Sequence, residues 1–183
     1  MRTVVEESTR NLVIMDVFSK LVQERIIFID DVIESKLANA VIAQLIHLNA
    51  ASPTEEITIY INSPGGRVDQ GLAIYDVAKL IQAPIRTIGM GEVASMAAIL
   101  MLMGDKRCGL EHTRFMLHQI TTGVYGRLTD IKISIHEGEL LQTKLYDILR
   151  EKTTIANIEE TLKSDKWMSS EACLEYGILT EIL

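Results

Sequence analysis

The sequence predicts an α/β fold built on a mainly parallel sheet, with one long helix standing off the body as an arm. Three observations carry this. Short β-branched runs alternate with segments that are apolar at helical spacing, most runs end in a turn signal, and one late segment is apolar along one side and charged along the other. Strands that alternate with helices imply right-handed βαβ crossovers and therefore parallel pairing.

Taken in order, RIIFI at 25–29 reads as a buried strand stopped by Asp30 and Asp31. Leu37, Val41, Leu45 and Leu48 then recur at helical spacing. ITIYIN at 57–62 is β-rich and is halted by the SPGG turn at 63–66. Gly71, Ile74, Ala78 and Ile81 mark one face of a second helix, and IRTIG at 85–89 is again strand-like. A helix of small and apolar residues begins near Ser95, and RFML at 114–117 runs as a strand into His118. The long helix is expected over 130–151, with Leu140, Leu141, Leu145, Ile148 and Leu149 on its apolar side. Its charged side leaves it free to project or to pack against another subunit.

Composition limits what this fold is used for. The chain has 183 residues, 48% of them hydrophobic and 23% charged, which is the make-up of one globular domain spanning 1–183. A chain of this length buries roughly 70% of the surface that it exposes when unfolded. The 25 acidic residues outnumber the 18 lysines and arginines, giving a net charge of −7. An acidic chain with pI near 5.1 is a poor ligand for nucleic acid or an anionic membrane. Cys108 and Cys173 have no metal-ligand spacing and make no disulfide framework, so a reducing cytoplasm is expected. The first residues lack a secretory pattern, and the apolar run at 93–103 is about half of the ~20 residues that cross a bilayer.

The motifs narrow the chemistry further. GxxxxGK[ST], GxGxxG and HExxH are all absent, which leaves little support for a nucleotide or metal enzyme. Two glycine-bearing strand ends remain. Asn62-Ser63-Pro64-Gly65-Gly66 reads either as a tight βα turn or as a nest of backbone amides for a developing anion. In GMGEVASMAA at 89–98, Ser95 opens a helix, where it serves either as N-cap or as a nucleophile favoured by the helix-start amides. A serine nucleophile requires a base. His118, at the carboxyl end of a strand, fits best, while His47 lies within a helix, His112 in a turn and His136 on the arm. Asp165 in SDKW is an acid able to orient the imidazole.

YINSPGG, MGEVASMAA, RFMLHQ and the TDI that opens the arm helix, in this order and spacing, resemble the Clp protease proteolytic subunits, and the resemblance extends over nearly the whole chain. It implies a crotonase-like subunit with a projecting strand-helix handle at about 123–152 and an axial loop at 1–16. By resemblance, Ser95 is the nucleophile, His118 the base and Asp165 the orienting acid, with the amides of Gly66 and Met96 as oxyanion donors. Gly65, Gly123, Val124 and Tyr125 would line the substrate groove by strand addition. The family assembles seven-membered rings, stacked as a tetradecamer, sometimes mixed with a paralogous subunit. It degrades unfolded proteins delivered by a separate AAA+ unfoldase such as ClpX, ClpA or ClpC, and hydrolysis uses no cofactor. The expected function is a serine endopeptidase of this kind. A ring subunit that depends on a partner for activity is the second reading, and an acyl-CoA enzyme of the same fold the third.

The sequence departs from the family in several places. Ile120 stands where proline usually follows His-Gln, which removes a φ constraint. Ser164 replaces an arginine before Asp165 and cannot make a bidentate contact between rings. Two residues are missing near 152–154. Tyr60 is kept, but Thr58 and Cys108 replace aromatic residues of the docking pockets, and Leu12 to Met15 place an apolar run in the axial loop. These departures point to a divergent paralogue.

Overall fold

The computed structural model describes residues 3–8 and 11–183, with side chains from residue 15 onward. Strand β1 (Thr3–Ser8) pairs antiparallel with β2 (Asn11–Asp16) as a two-stranded sheet. The segment expected as an axial loop therefore carries paired strands, consistent with its Val-Val and Leu-Val-Ile runs, which favour a pleated surface. The placement of the Leu12, Val13 and Ile14 side chains lies outside the described residues. Asp16 caps α1 (Val17–Gln23), its carboxylate accepting from the amides of Phe18 and Ser19, both at 3.0 Å.

The main sheet begins with β3 (Ile26–Ile29), followed by α2 (Ser35–Ala51), β4 (Ile57–Ser63), α3 (Val68–Leu80) and β5 (Ile85–Ala94). Burial follows the sequence pattern closely. Ile27 and Ile29 point inward from β3, Ile57, Ile59 and Ile61 from β4, and α2 buries Ala38, Val41, Leu45 and Leu48. Helix α3 buries Gly71, Ile74, Tyr75 and Ala78. Each fully buried isoleucine or leucine contributes about 1.5–3 kcal/mol, so this layer of side chains supplies the main driving force for folding.

Helix α4 (Met96–Met101) is buried on every side. It is followed by β6 (Lys106–Gly109), β7 (Arg114–Leu117) and α5 (Leu128–Lys152). The chain ends with α6 (Ile158–Thr161), β8 (Lys166–Met168), α7 (Ser170–Glu175) and β9 (Glu181–Ile182). The sheet runs β3-β4-β5-β6-β9, every neighbouring pair parallel. Strand β5 extends five residues beyond the expected 85–89 and changes neighbour on the way. Residues 86–89 pair with β6, whereas Glu92, Val93 and Ala94 pair in parallel with β7. The register against β4 shifts between Ile61 and Ser63, and the Asn62 side-chain Oδ1 fills that irregularity by accepting from the Glu92 amide at 3.1 Å.

The arm helix forms as expected. Leu145 and Leu149 are buried against the body, while Leu140 and the preceding turns face outward. Residues 118–127, the connection that leads into it, pair with no strand among the described residues. The strand half of the expected handle is thus unpaired among the described residues.

Candidate active site

Three parallel strands end at one edge of the sheet, and that coincidence builds the site. Ser63 of β4 lies beside Val93 of β5, and Ala94 lies beside Met116 of β7. The SPGG turn, Ser95 and His118 therefore emerge next to one another, although 55 residues of chain separate the first from the last. Carboxyl ends of parallel strands gather functional groups for this topological reason.

Ser95 is held in an unusual conformation, φ 55° and ψ −125°. Among the described residues the only other non-glycine with positive φ is Arg25. Such a conformation costs a non-glycine residue on the order of 1–3 kcal/mol and persists only where its surroundings enforce it. Here the Ser95 amide donates to the Met116 carbonyl at 2.8 Å, and the Ser95 carbonyl accepts from the Ala98 amide at 3.0 Å. Its side chain makes no capping bond. Instead Oγ lies 2.8 Å from His118 Nε2. Of the two sequence readings for Ser95, the side-chain cap is not the one adopted.

The acid arrives by a different route. Strand β8 runs antiparallel to β7 with Leu117 opposite Lys166, so the residues just beyond that pair, His118 and Asp165, face each other across the end of the ladder. Asp165 Oδ1 is 3.6 Å from His118 Nδ1. That is ion-pair range, longer than a hydrogen bond. The carboxylate is 62% exposed against 24% for the imidazole, so solvent competes for it. Strand register thus sets the position of Asp165.

Gly66 and Met96 line the same cleft as Ser95, and each carries a backbone amide. Met96 N–H belongs to the first turn of α4, where helix amides have no acceptor within the helix. Gly66 is fixed by a bridge to Ile33, in which the Ile33 amide donates to the Gly65 carbonyl and the Arg67 amide to the Ile33 carbonyl, both at 2.8 Å. The Gly66 amide takes no part in that bridge. Both glycines have positive φ, 95° at Gly65 and 152° at Gly66, and a Cβ on Gly65 would lie 2.7 Å from the Ala94 carbonyl oxygen and from Ser95 Cβ. Only glycine lets the turn approach the serine this closely. The buried Ser63 hydroxyl secures the turn from beneath, donating to the Asp31 carbonyl at 2.7 Å and accepting from the Gly65 amide at 3.1 Å. Beyond it, the bidentate Arg67 contact holds the Asp69 carboxyl well below its usual range, down to about 2.

Ser95, Met96, Gly66 and His118 line a cleft of about 220 Å³ whose floor is apolar, made by Ile99, Leu145, Leu149 and Leu162. Sequence reasoning recognised Leu145 and Leu149 as the inner face of a helix but not as part of this cleft, since nothing local links them to Ser95. Asn62, which shapes β5 ahead of Ser95, was passed over within the turn motif. Gly123, Val124 and Tyr125 lie along the connection and are not among the residues that line the cleft. A Cβ on Gly123 would meet nothing within 4 Å, and Tyr125 is fully exposed. His47, His112 and His136 are exposed and remote from the cleft.

The Clp protease family matches residues 8–183. The chain belongs to the Clp protease family. An ATP-dependent Clp protease proteolytic subunit of Porphyromonas gingivalis is 39% identical over 99% of this chain and 83% of its own length. One of Bacteroides fragilis, with the same printed name, is 39% identical over 98% of this chain and 89% of its own length. The mixed α/β architecture with its parallel sheet is the Clp protease fold. Among the described residues no helix is long and apolar enough to cross a membrane.

Proposed function

We propose that this chain is the proteolytic subunit of an ATP-dependent Clp-type protease, a serine endopeptidase that cleaves unfolded proteins delivered by a separate AAA+ unfoldase. Family membership supports the peptidase activity, and the 2.8 Å contact between Ser95 Oγ and His118 Nε2 supports the assignment of the nucleophile and base. Serine is a weak nucleophile until a base removes its proton. His118 Nε2 takes that proton as Oγ attacks the scissile carbonyl, and the amides of Gly66 and Met96 receive the oxyanion. Each such donor is worth on the order of 10²–10³ in turnover. His118 then protonates the leaving amine, which leaves an acyl group on Ser95. Water, activated by the same imidazole, hydrolyses the acyl-enzyme. Asp165 orients the ring through Nδ1 and stabilises the imidazolium. No cofactor takes part.

In this reading the peptide extends from the cleft along Gly65, Gly123, Val124 and Tyr125, adding a strand to the unpaired connection through main-chain hydrogen bonds. The subunits assemble as stacked seven-membered rings in the cytoplasm, where the buried free thiols of Cys108 and Cys173 stay reduced.

The test is intact-mass analysis of the assembled protein after treatment with a serine-reactive fluorophosphonate. One adduct on the natural chain and none on Ser95→Ala is expected, together with loss of peptide hydrolysis in the variant. An unlabelled natural chain in a correctly assembled ring would overturn the assignment and favour a subunit that depends on a paralogue.

A further inference from the structure

The residues that follow His118 are held by one polar contact. Upstream, β7 is fixed by its pairing with β5 and β8. Downstream, among the described residues, the connection 119–126 makes a single hydrogen bond, from the Ile120 amide to Gln142 Oε1 at 2.6 Å. That bond crosses from the connection to the middle of α5, 22 residues away, and both partners are part-buried. The Ile120 side chain packs against the core beside it. The tether requires two features of this sequence: residue 120 must have an N–H, which proline lacks, and residue 142 must present an acceptor.

We propose that Gln142 is a positioning residue for His118. By gripping the Ile120 amide two residues past the imidazole, it fixes the direction in which the chain leaves β7, and with it the ring that faces Ser95. Ile120 costs the turn the φ restriction of a proline but provides the N–H through which the arm helix restores the constraint. The two devices exclude each other, since residue 120 can supply either a locked ring or a donor. This inference rests on the serine-peptidase reading of the site.

A double-mutant cycle with an independent structural readout tests it. Gln142→Met keeps the length of the side chain and removes the acceptor, while Gln142→Glu keeps an acceptor. In assembled protein, Gln142→Met is expected to lower both kcat for a short peptide and the rate of Ser95 phosphonylation about five-fold with KM unchanged, the equivalent of one ordinary hydrogen bond. Gln142→Glu stays within about two-fold of the natural chain, because a carboxylate oxygen accepts from the same amide. In an Ile120→Pro background, Gln142→Met has no further effect, the donor being gone already. An equal loss in both backgrounds would mean that Gln142 only packs, and would overturn the proposal. Hydrogen exchange at the Ile120 amide reads the tether without any catalysis: protection in the natural chain and its loss in Gln142→Met are expected, and equal exchange in the two would also overturn it. A natural chain that is unlabelled at Ser95 but shows Gln142-dependent protection would sink the serine reading and leave the tether standing.

Discussion

Ser95 shows how one residue can carry strain for the sake of direction. At φ 55° its Oγ is turned out of the helix start and toward His118, and the Met116 carbonyl and the neighbouring Gly65 hold it there. Gly65→Ala therefore places a methyl group against the Ser95 backbone at a φ that alanine resists. It is expected to destabilise the fold by about 1–3 kcal/mol, by overpacking and strain together, and to slow Ser95 phosphonylation more than global stability explains. Thermal melts beside labelling rates check this. Cys173 illustrates the opposite case, a residue made inert by its surroundings. Burial pushes its thiol up to about 12. At pH 8 roughly one molecule in ten thousand would carry the thiolate, so iodoacetamide followed by peptide mapping should find Cys173 unmodified in the folded protein and alkylated after denaturation. The sign with pH follows. Between pH 9 and 12 the unfolded chain releases this proton and the folded chain keeps it, so stability falls as pH rises through that window.

At the scale of elements, the site depends on how strands and helices abut. The β7–β8 register brings Asp165 to His118, but the 3.6 Å separation and the exposure of the carboxylate make for a loose partnership. Asp165→Asn is accordingly expected to lower kcat by about ten- to a hundred-fold, short of the ~10⁴ seen where such an acid is buried and hydrogen-bonded. Steady-state peptide cleavage measures it. Helix α3 supports the other side of the site. Gly71 faces Met96 so closely that an added Cβ would collide with the Met96 side chain at Cγ. Gly71→Ala is expected to cost about 1–3 kcal/mol in overpacking and, by displacing Met96, to weaken the oxyanion donor proposed at its amide without touching Ser95 or His118. A drop in kcat with an unchanged phosphonate adduct site would show it.

Across the whole molecule, the uneven feature is α5. Its 25 residues span about 37 Å, yet only Leu145, Tyr146 and Leu149 are buried against the body. Leu128, Ile133, Ile135 and Leu140 are exposed in the single chain. Scattered apolar residues on a surface are ordinary, but Ile133 and Leu140 lie seven residues apart on one side of the helix, and the prediction is that this side meets another subunit. Sedimentation of the natural chain is expected to show a large oligomer, and the Ile133→Glu/Ile135→Glu double variant to shift the population toward smaller species while circular dichroism stays unchanged.

The sequence by itself determined the alternation of strands and helices, the buried faces of α2 and α3 and the apolar helix behind Ser95, and it singled out Ser95, His118 and Asp165 as candidates, because each of these is written in local periodicity or in a short motif. It did not extend β5 past Gly89, and it read residues 1–16 as a loop where β1 and β2 pair. Nor did it decide between cap and nucleophile for Ser95. Tertiary structure supplied the strand pairings and showed that the Ser95 side chain makes no capping bond. Strand pairing of β5 with β7 brings Ser95 to His118, the β7–β8 register carries Asp165 to His118, and the packing of α5 brings Gln142 to Ile120. The physical reason is common to all three: contacts between residues far apart in sequence form only where separate elements share a sheet edge or a packed face, and no local pattern records that partner.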